Sequence, residues 1–253
     1  KSVLPGDTDL GAYLVQQALA ADFDPAFSMD LTLDHGVLTP LELAGITAEI
    51  RVVPIMINCV QPPFPTMRRC LQWGQFLGDA IARYPGTLRV AVLATGGLSH
   101  DIATPRMGMV NESFDRQFLA LLEAGDDQAL VRFATETVHE AGNGAEEIRT
   151  WLLAHGAAGG ASFRTRYYKA VSNWYTGNGI GGGADAPAAC CPRACCMSRA
   201  MPMRPLSYCC MRLPRRPTCG RCNDLCCVGD SAWSPSICPA TGPRVTASFL
   251  PIW

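Results

Sequence analysis

Apolar positions recur along the chain with two periods. Leu10, Leu14 and Ala18 stand at helical spacing behind Asp7 and Thr8, either of which can cap a helix over 8–21. Residues 66–84 take up the same period through Cys70, Trp73, Leu77 and Ile81, and Tyr84-Pro85-Gly86 stops it. An amphipathic helix is predicted over 112–124 from Phe114, Phe118 and Leu121, and 127–140 and 145–157 read as helices as well. Two apolar runs have the length of strands. Arg51–Asn58 carries Pro54, which suits an edge strand or a bulge. Leu88–Ala94 is apolar on both faces apart from Arg89, the pattern of a strand covered by helices on each side. It runs directly into Thr95-Gly96-Gly97-Leu98-Ser99-His100. Strands alternating with helices predict an α/β fold: a single layered domain over 1–183 with a central, mostly parallel or mixed sheet flanked by helices.

After about Gly183 this pattern ends. Residues 184–253 hold eleven of the thirteen cysteines and eight arginines, with many prolines and no lysine. They show neither period. This irregular Cys/Arg/Pro-rich tail is expected to be disordered, or out-of-frame translation of a GC-rich gene. Cys219-x-x-Cys222, with Cys226 and Cys227 nearby, resembles a zinc knuckle and leaves a zinc-binding interaction module as one alternative function. Ahead of the tail only Cys59 and Cys70 occur, the usage of a reduced, cytoplasmic protein. A formal net charge of -1 gives no global basic field for nucleic acid. No apolar run reaches the roughly 18 to 20 residues of a membrane span. The first residues contain neither an initiator Met nor an apolar signal segment, so the chain is expected to begin inside a longer reading frame.

The candidate chemistry rests on four histidines: His35, His100, His139 and His155. His35 lies in a glycine-flanked turn, Asp34-His35-Gly36. His100 follows the strand-plus-turn at 94–99, where the loops of open α/β sheets build a ligand crevice. His139 falls in a polar helix and reads as solvated. His155, one turn after Trp151 on an apolar helix, reads as packed. Glu146 and Glu147 open the helix after Gly142-Asn143-Gly144; their side chains diverge by about 100°, so one at most faces a site. From residue types alone, His35, His100 and Glu147 suggest a two-histidine-one-carboxylate triad for iron(II). A Ser99–His100 nucleophile pair is the rival. It has poor geometry between adjacent residues, and the chain lacks a Gly-x-Ser-x-Gly elbow.

Several segments together resemble the class III extradiol ring-cleavage dioxygenases, and within them the catalytic β subunits of the protocatechuate 4,5-dioxygenase and gallate dioxygenase type. Leu33-Asp34-His35-Gly36 followed by Thr39-Pro40-Leu41 resembles their Asp-His-Gly-x-x-x-Pro-Leu segment. Thr95–His100 resembles their Thr/Ser-Gly-Gly-Leu/Met-Ser-His segment, and Pro105-Arg106 with Asn111–Asp115 and Phe118 continues it. Glu147 to Trp151 is similar to their Glu-x-x-x-Trp helix, and Arg166-Tyr167-Tyr168 with Trp174–Gly179 to their late Tyr-Tyr and Trp-x-x-Gly-x-Gly stretches. The resemblance runs from residue 5 to about 180.

It implies an α/β domain, Fe(2+) as cofactor, a catecholic acid such as protocatechuate or gallate, and meta cleavage of its ring by O2. A small α subunit or a homo-oligomer is the implied partner. Residue by residue, Glu147 matches the carboxylate iron ligand, His100 the acid/base and His35 a second pocket histidine. The family's two iron-binding histidines lie upstream of the segment matching residue 5. The polypeptide by itself is therefore expected to hold no iron and to be inactive, and a catalytically dead fragment or pseudogene product is the main alternative.

Overall fold

The computed structural model describes residues 4–43, 45, 50–159, 161–183 and the strand backbone of 245–250. The first helix, α1 (Thr8–Ala20), starts where Asp7 accepts the Leu10 N–H at 3.0 Å and buries Leu10, Leu14 and Ala18 as the spacing predicts. A short helix, α2 (His35–Leu43), follows, with Pro40 inside it. His35 is thus the first residue of a helix rather than part of a free turn. The expected strand over 51–58 does not form. Val52 makes one parallel bridge, to Gly6, and the segment stays irregular past Pro54, which has no N–H to extend a ladder.

Helix α3 (Met67–Ala82) begins at Thr66, whose hydroxyl accepts the Arg69 N–H at 3.1 Å. Strand β1 (Val90–Thr95) is next. It is more open than a strand sandwiched between helices: Ala94 alone is fully buried and its neighbours are half-buried or exposed. Helices α4 (Glu112–Ala124) and α5 (Asp127–Thr137) are capped by Asn111 and Asp126, and Gly125 ends α4 in the left-handed conformation at φ 68°. One 3-10 turn over Val138–Glu140 and another over Gly144–Glu147 lead into α6 (Ile148–Ala157).

Strands β2 (Phe163–Val171) and β3 (Thr176–Gly183) form an antiparallel pair. Strand β4 (Val245–Leu250) comes from the segment expected to lack regular structure; the cysteine-rich stretch, with its zinc-knuckle pattern, lies outside the described residues. The sheet order is β1-β4-β3-β2, with β1 and β4 parallel and the other neighbours antiparallel, a mixed sheet in an α/β fold as predicted.

Helix α6 lies between two apolar cores. Trp151, Leu152 and Ile148 join Leu98, Phe118, Leu122 and Leu130 in one, and Leu153 and Ala157 join Leu10, Phe76, Leu77 and Ile81 in the other. Its contact with α3 is made through glycines. A Cβ at Gly74 would run into the Leu153 carbonyl, one at Gly78 into the Ala157 carbonyl, and one at Gly156 into the Leu71 carbonyl. The two helices therefore meet backbone on backbone. Among the described residues no helix is long and apolar enough to cross a membrane.

Candidate active site

The end of β1 and the start of α6 are joined by three hydrogen bonds. Thr150 Oγ1 donates to the Thr95 carbonyl at 2.6 Å, Trp151 Nε1 donates to the Gly96 carbonyl at 3.3 Å, and the Gly97 N–H donates to Glu147 Oε2 at 2.9 Å. Gly96 has φ 128°, and a Cβ there would sit 2.8 Å from the Glu147 Cβ, so both the bend and the approach of the carboxylate require glycine. Burial raises the Glu147 pKa above the ordinary carboxylate range. His100, the Gly97 N–H and His35 pull the other way, and Asp34 adds to the rise.

His100 is half-buried at the mouth of this turn. Its Nδ1 lies 3.0 Å from the Leu98 carbonyl oxygen. A carbonyl can only accept, so Nδ1 carries the proton of the neutral ring and Nε2 keeps its lone pair. Nε2 lies against Gly144, where a Cβ would overlap the ring, and the Gly144 N–H donates to the His100 carbonyl at 3.1 Å. Asp101 holds the next stretch of loop. It takes the Arg106 Nε and Nη2 at 2.8 Å each and the Asn143 N–H at 3.2 Å. Burial works to raise its pKa, but these donors outweigh it and the net shift is downward.

Beneath the loop lies a carboxylate that residue-type reasoning did not single out. Asp115 is wholly buried and accepts the Ser99 N–H, the Ser99 hydroxyl and the Tyr168 hydroxyl, each at 2.8 Å. Burial pushes it up to about 6 against the pull of those donors and of His100. Ser99 Oγ in turn accepts the Asn111 N–H at 2.9 Å, and the Ser99 carbonyl accepts the Gly177 N–H at 3.0 Å. One signal was present in the sequence. Asp115, Phe118, Leu119 and Leu122 fall on one face of α4, so a carboxylate sits inside an apolar stripe.

The rival chemistries do not survive this geometry. Ser99 Oγ is buried and donates to Asp115, while the His100 ring is engaged with Leu98, so no serine–histidine relay exists. Burial raises Cys59 to about 12 and Cys70 to about 11, so neither is a thiolate nucleophile. His139 is exposed beside Glu140, and His155 is buried against Asp127 at 2.9 Å, away from the turn. The triad suggested by residue types fails as a metal site. Among the described residues no group of three or more His, Cys, Asp and Glu side chains could hold a metal ion. His35 stands exposed at the start of α2.

A mixed-sheet α/β domain that presents a histidine and a carboxylate at a Gly-Gly turn fits an enzyme with a loop-built crevice. Comparison with known proteins specifies the class. Residues 1–178 match the family described as the catalytic LigB subunit of aromatic ring-opening dioxygenase. A gallate dioxygenase of Pseudomonas putida is 37% identical over 155 residues, 60% of this chain and 45% of that protein. Two proteins named 2,3-dihydroxyphenylpropionate/2,3-dihydroxicinnamic acid 1,2-dioxygenase are similar as well. That of Burkholderia vietnamiensis is 32% identical, with 70% of each chain covered. That of Paraburkholderia xenovorans is 32% identical over 66% of this chain and 67% of the relative. The chain belongs to the family of catalytic LigB subunits of aromatic ring-opening dioxygenases. It spans under half the length of the gallate dioxygenase and about two thirds of the other two.

Proposed function

We propose that this chain is part of a cytoplasmic, iron(II)-dependent dioxygenase that opens the ring of a catecholic acid of the protocatechuate or gallate kind by extradiol cleavage with O2. His100 is its acid/base, His35 a second pocket histidine, and Glu147 a carboxylate ligand of the metal. A small α subunit or a second copy of the chain is the partner this reading carries. The described residues supply one ligand and do not by themselves fit an iron site.

The observation that supports this reading best is the state of His100. With Nδ1–H held by the Leu98 carbonyl, the free Nε2 can take the proton of a catechol hydroxyl. Deprotonation makes the ring electron-rich and ready to react with O2. The imidazolium so formed remains pinned through Nδ1 and can return the proton from Nε2 as the ring opens. Glu147 stands across the Gly96-Gly97 bend, its carboxylate held by the Gly97 N–H at 2.9 Å. The name of one relative, gallate dioxygenase, agrees with a catecholic acid carrying its carboxyl directly on the ring.

The test is His100→Gln in the complete iron-loaded enzyme, read as O2 consumed per catechol. Loss of a general base lowers turnover by about 10²–10⁴. Iron content and catechol affinity stay at wild-type levels. Loss of iron instead would make His100 a ligand and overturn the acid/base assignment.

A further inference from the structure

The peptide unit between Leu98 and Ser99 faces two ways. Its carbonyl accepts Nδ1–H of His100 at 3.0 Å, and its N–H donates to Asp115 Oδ1 at 2.8 Å. In a trans peptide these two groups point in opposite directions from one rigid plane, so neither can turn without the other. Flanking bonds fix the rest of the loop: the Leu98 N–H donates to the Gly177 carbonyl at 3.1 Å and the Gly177 N–H returns to the Ser99 carbonyl at 3.0 Å. These would remain if the plane between 98 and 99 rotated. Among the described residues Asp115 is the group that holds its N–H.

We propose that Asp115 is a positioning residue that fixes the tautomer of His100 through this single peptide plane. With Oδ1 on the Ser99 N–H, the Leu98 carbonyl is aimed at the imidazole, Nδ1 must carry the proton, and Nε2 is left as a base. Without an acceptor at 115 the plane is free to turn, and the ring is free to adopt the Nε2–H form, which cannot accept a proton. Two features support the assignment. Asp115 is wholly buried on α4 and, among the described residues, its bonds go to Ser99 and Tyr168 and to no cation, so ion pairing does not account for it. Its second oxygen is steadied by the Ser99 and Tyr168 hydroxyls, which prevents the carboxylate from rotating. Its catalytic consequence rests on the acid/base reading of His100; its structural content does not.

The experiment reads the tautomer itself. Long-range proton–nitrogen correlation spectra of the full chain, labelled on histidine, report which ring nitrogen of His100 is protonated, and His100→Gln assigns the signal. The wild type must show neutral Nδ1–H, together with a Ser99 amide strongly protected from hydrogen exchange. Asp115→Asn keeps an acceptor for the Ser99 N–H and retains the wild-type tautomer. Asp115→Leu, with the same branching but without an acceptor, shifts His100 towards Nε2–H and unprotects the Ser99 amide. In the complete enzyme the same variant loses turnover by about 10²–10⁴ with little change in KM, the effect of a misplaced proton.

A wild type already in the Nε2–H form, or an unprotected Ser99 amide, overturns the proposal even where Asp115→Leu fails to fold. So does a folded Asp115→Leu with an unchanged tautomer. A shifted tautomer with unimpaired turnover would instead leave the positioning role standing and remove the acid/base assignment on which the catalytic consequence depends.

Discussion

Gly144→Ala gives the sharpest test of how His100, the proposed acid/base, is held. An alanine Cβ at 144 would fall on the edge of the His100 ring, against Nε2 and Cδ2. The backbone cannot retreat easily, because the Gly144 N–H is bonded to the carbonyl of His100 itself and the Ala145 N–H to the carbonyl of Gly142. The ring must therefore leave. Doing so breaks the Nδ1–H bond to Leu98, a loss of about 1 kcal/mol. Gly144 is not at positive φ, and its replacement in a helical turn gains up to about 1 kcal/mol in propensity. The two nearly cancel, so the melting temperature should move by no more than about 2–4 °C in a chain of this size. Turnover should not be spared. With Nε2 displaced from the turn, the rate falls by about 10²–10⁴, the whole contribution of a general base. The assay pairs O2 uptake by the complete enzyme with a thermal melt of the same sample. Undiminished turnover in a folded Gly144→Ala protein would refute the placement of His100. A large fall in melting temperature would refute the claim that the clash is local to the ring.

Two further outcomes concern stability. Asp115 is raised from its ordinary 3.8 to about 6, so the folded state binds its proton more tightly than the unfolded chain. The stabilisation is complete below about pH 4 and lost as pH rises through about 6, a total of about 3 kcal/mol. Urea titrations across that window should show the wild type losing this amount relative to Asp115→Asn; parallel stability curves for the two proteins would contradict the buried-acid account. Gly74→Ala should destabilise the fold although alanine is the better helix former. Its Cβ would meet the Leu153 carbonyl, and overpacking of about 1–3 kcal/mol outweighs a propensity gain of about 1 kcal/mol. A higher denaturation midpoint in this variant would be the contrary result.

The helices were legible because their period and their caps agree. Asp7, Thr66, Asn111 and Asp126 each accept an N–H three residues on, where a polar residue precedes an apolar stripe. The placement of His100 and Glu147 at the Gly96-Gly97 turn was legible because glycines beside titratable residues mark close backbone approach. The strand over 51–58 was misread because an apolar run of strand length does not state whether a neighbour exists to pair with; Val52 finds a single bridge. The β2–β3 hairpin carries too many glycines and polar residues to show alternation, and β4 gave no signal in its cysteine-rich surroundings. Asp115, quoted only within the Asn111–Asp115 resemblance, was not singled out because its bonds reach Ser99 and Tyr168, sixteen and fifty-three positions away, and the apolar stripe around it does not encode that meeting.

The glycine seam between α3 and α6 also limits how this protein can vary. Where side chains separate two helices, a lost methyl in one can be offset by a gained methyl in the other, and the spacing drifts over many such exchanges. Here main chain touches main chain, so there is no slack to redistribute. The carboxylate at the head of α6 is referenced to an incompressible joint. Variation in the two flanking cores can then proceed without altering how far that carboxylate stands from the bend at the end of β1.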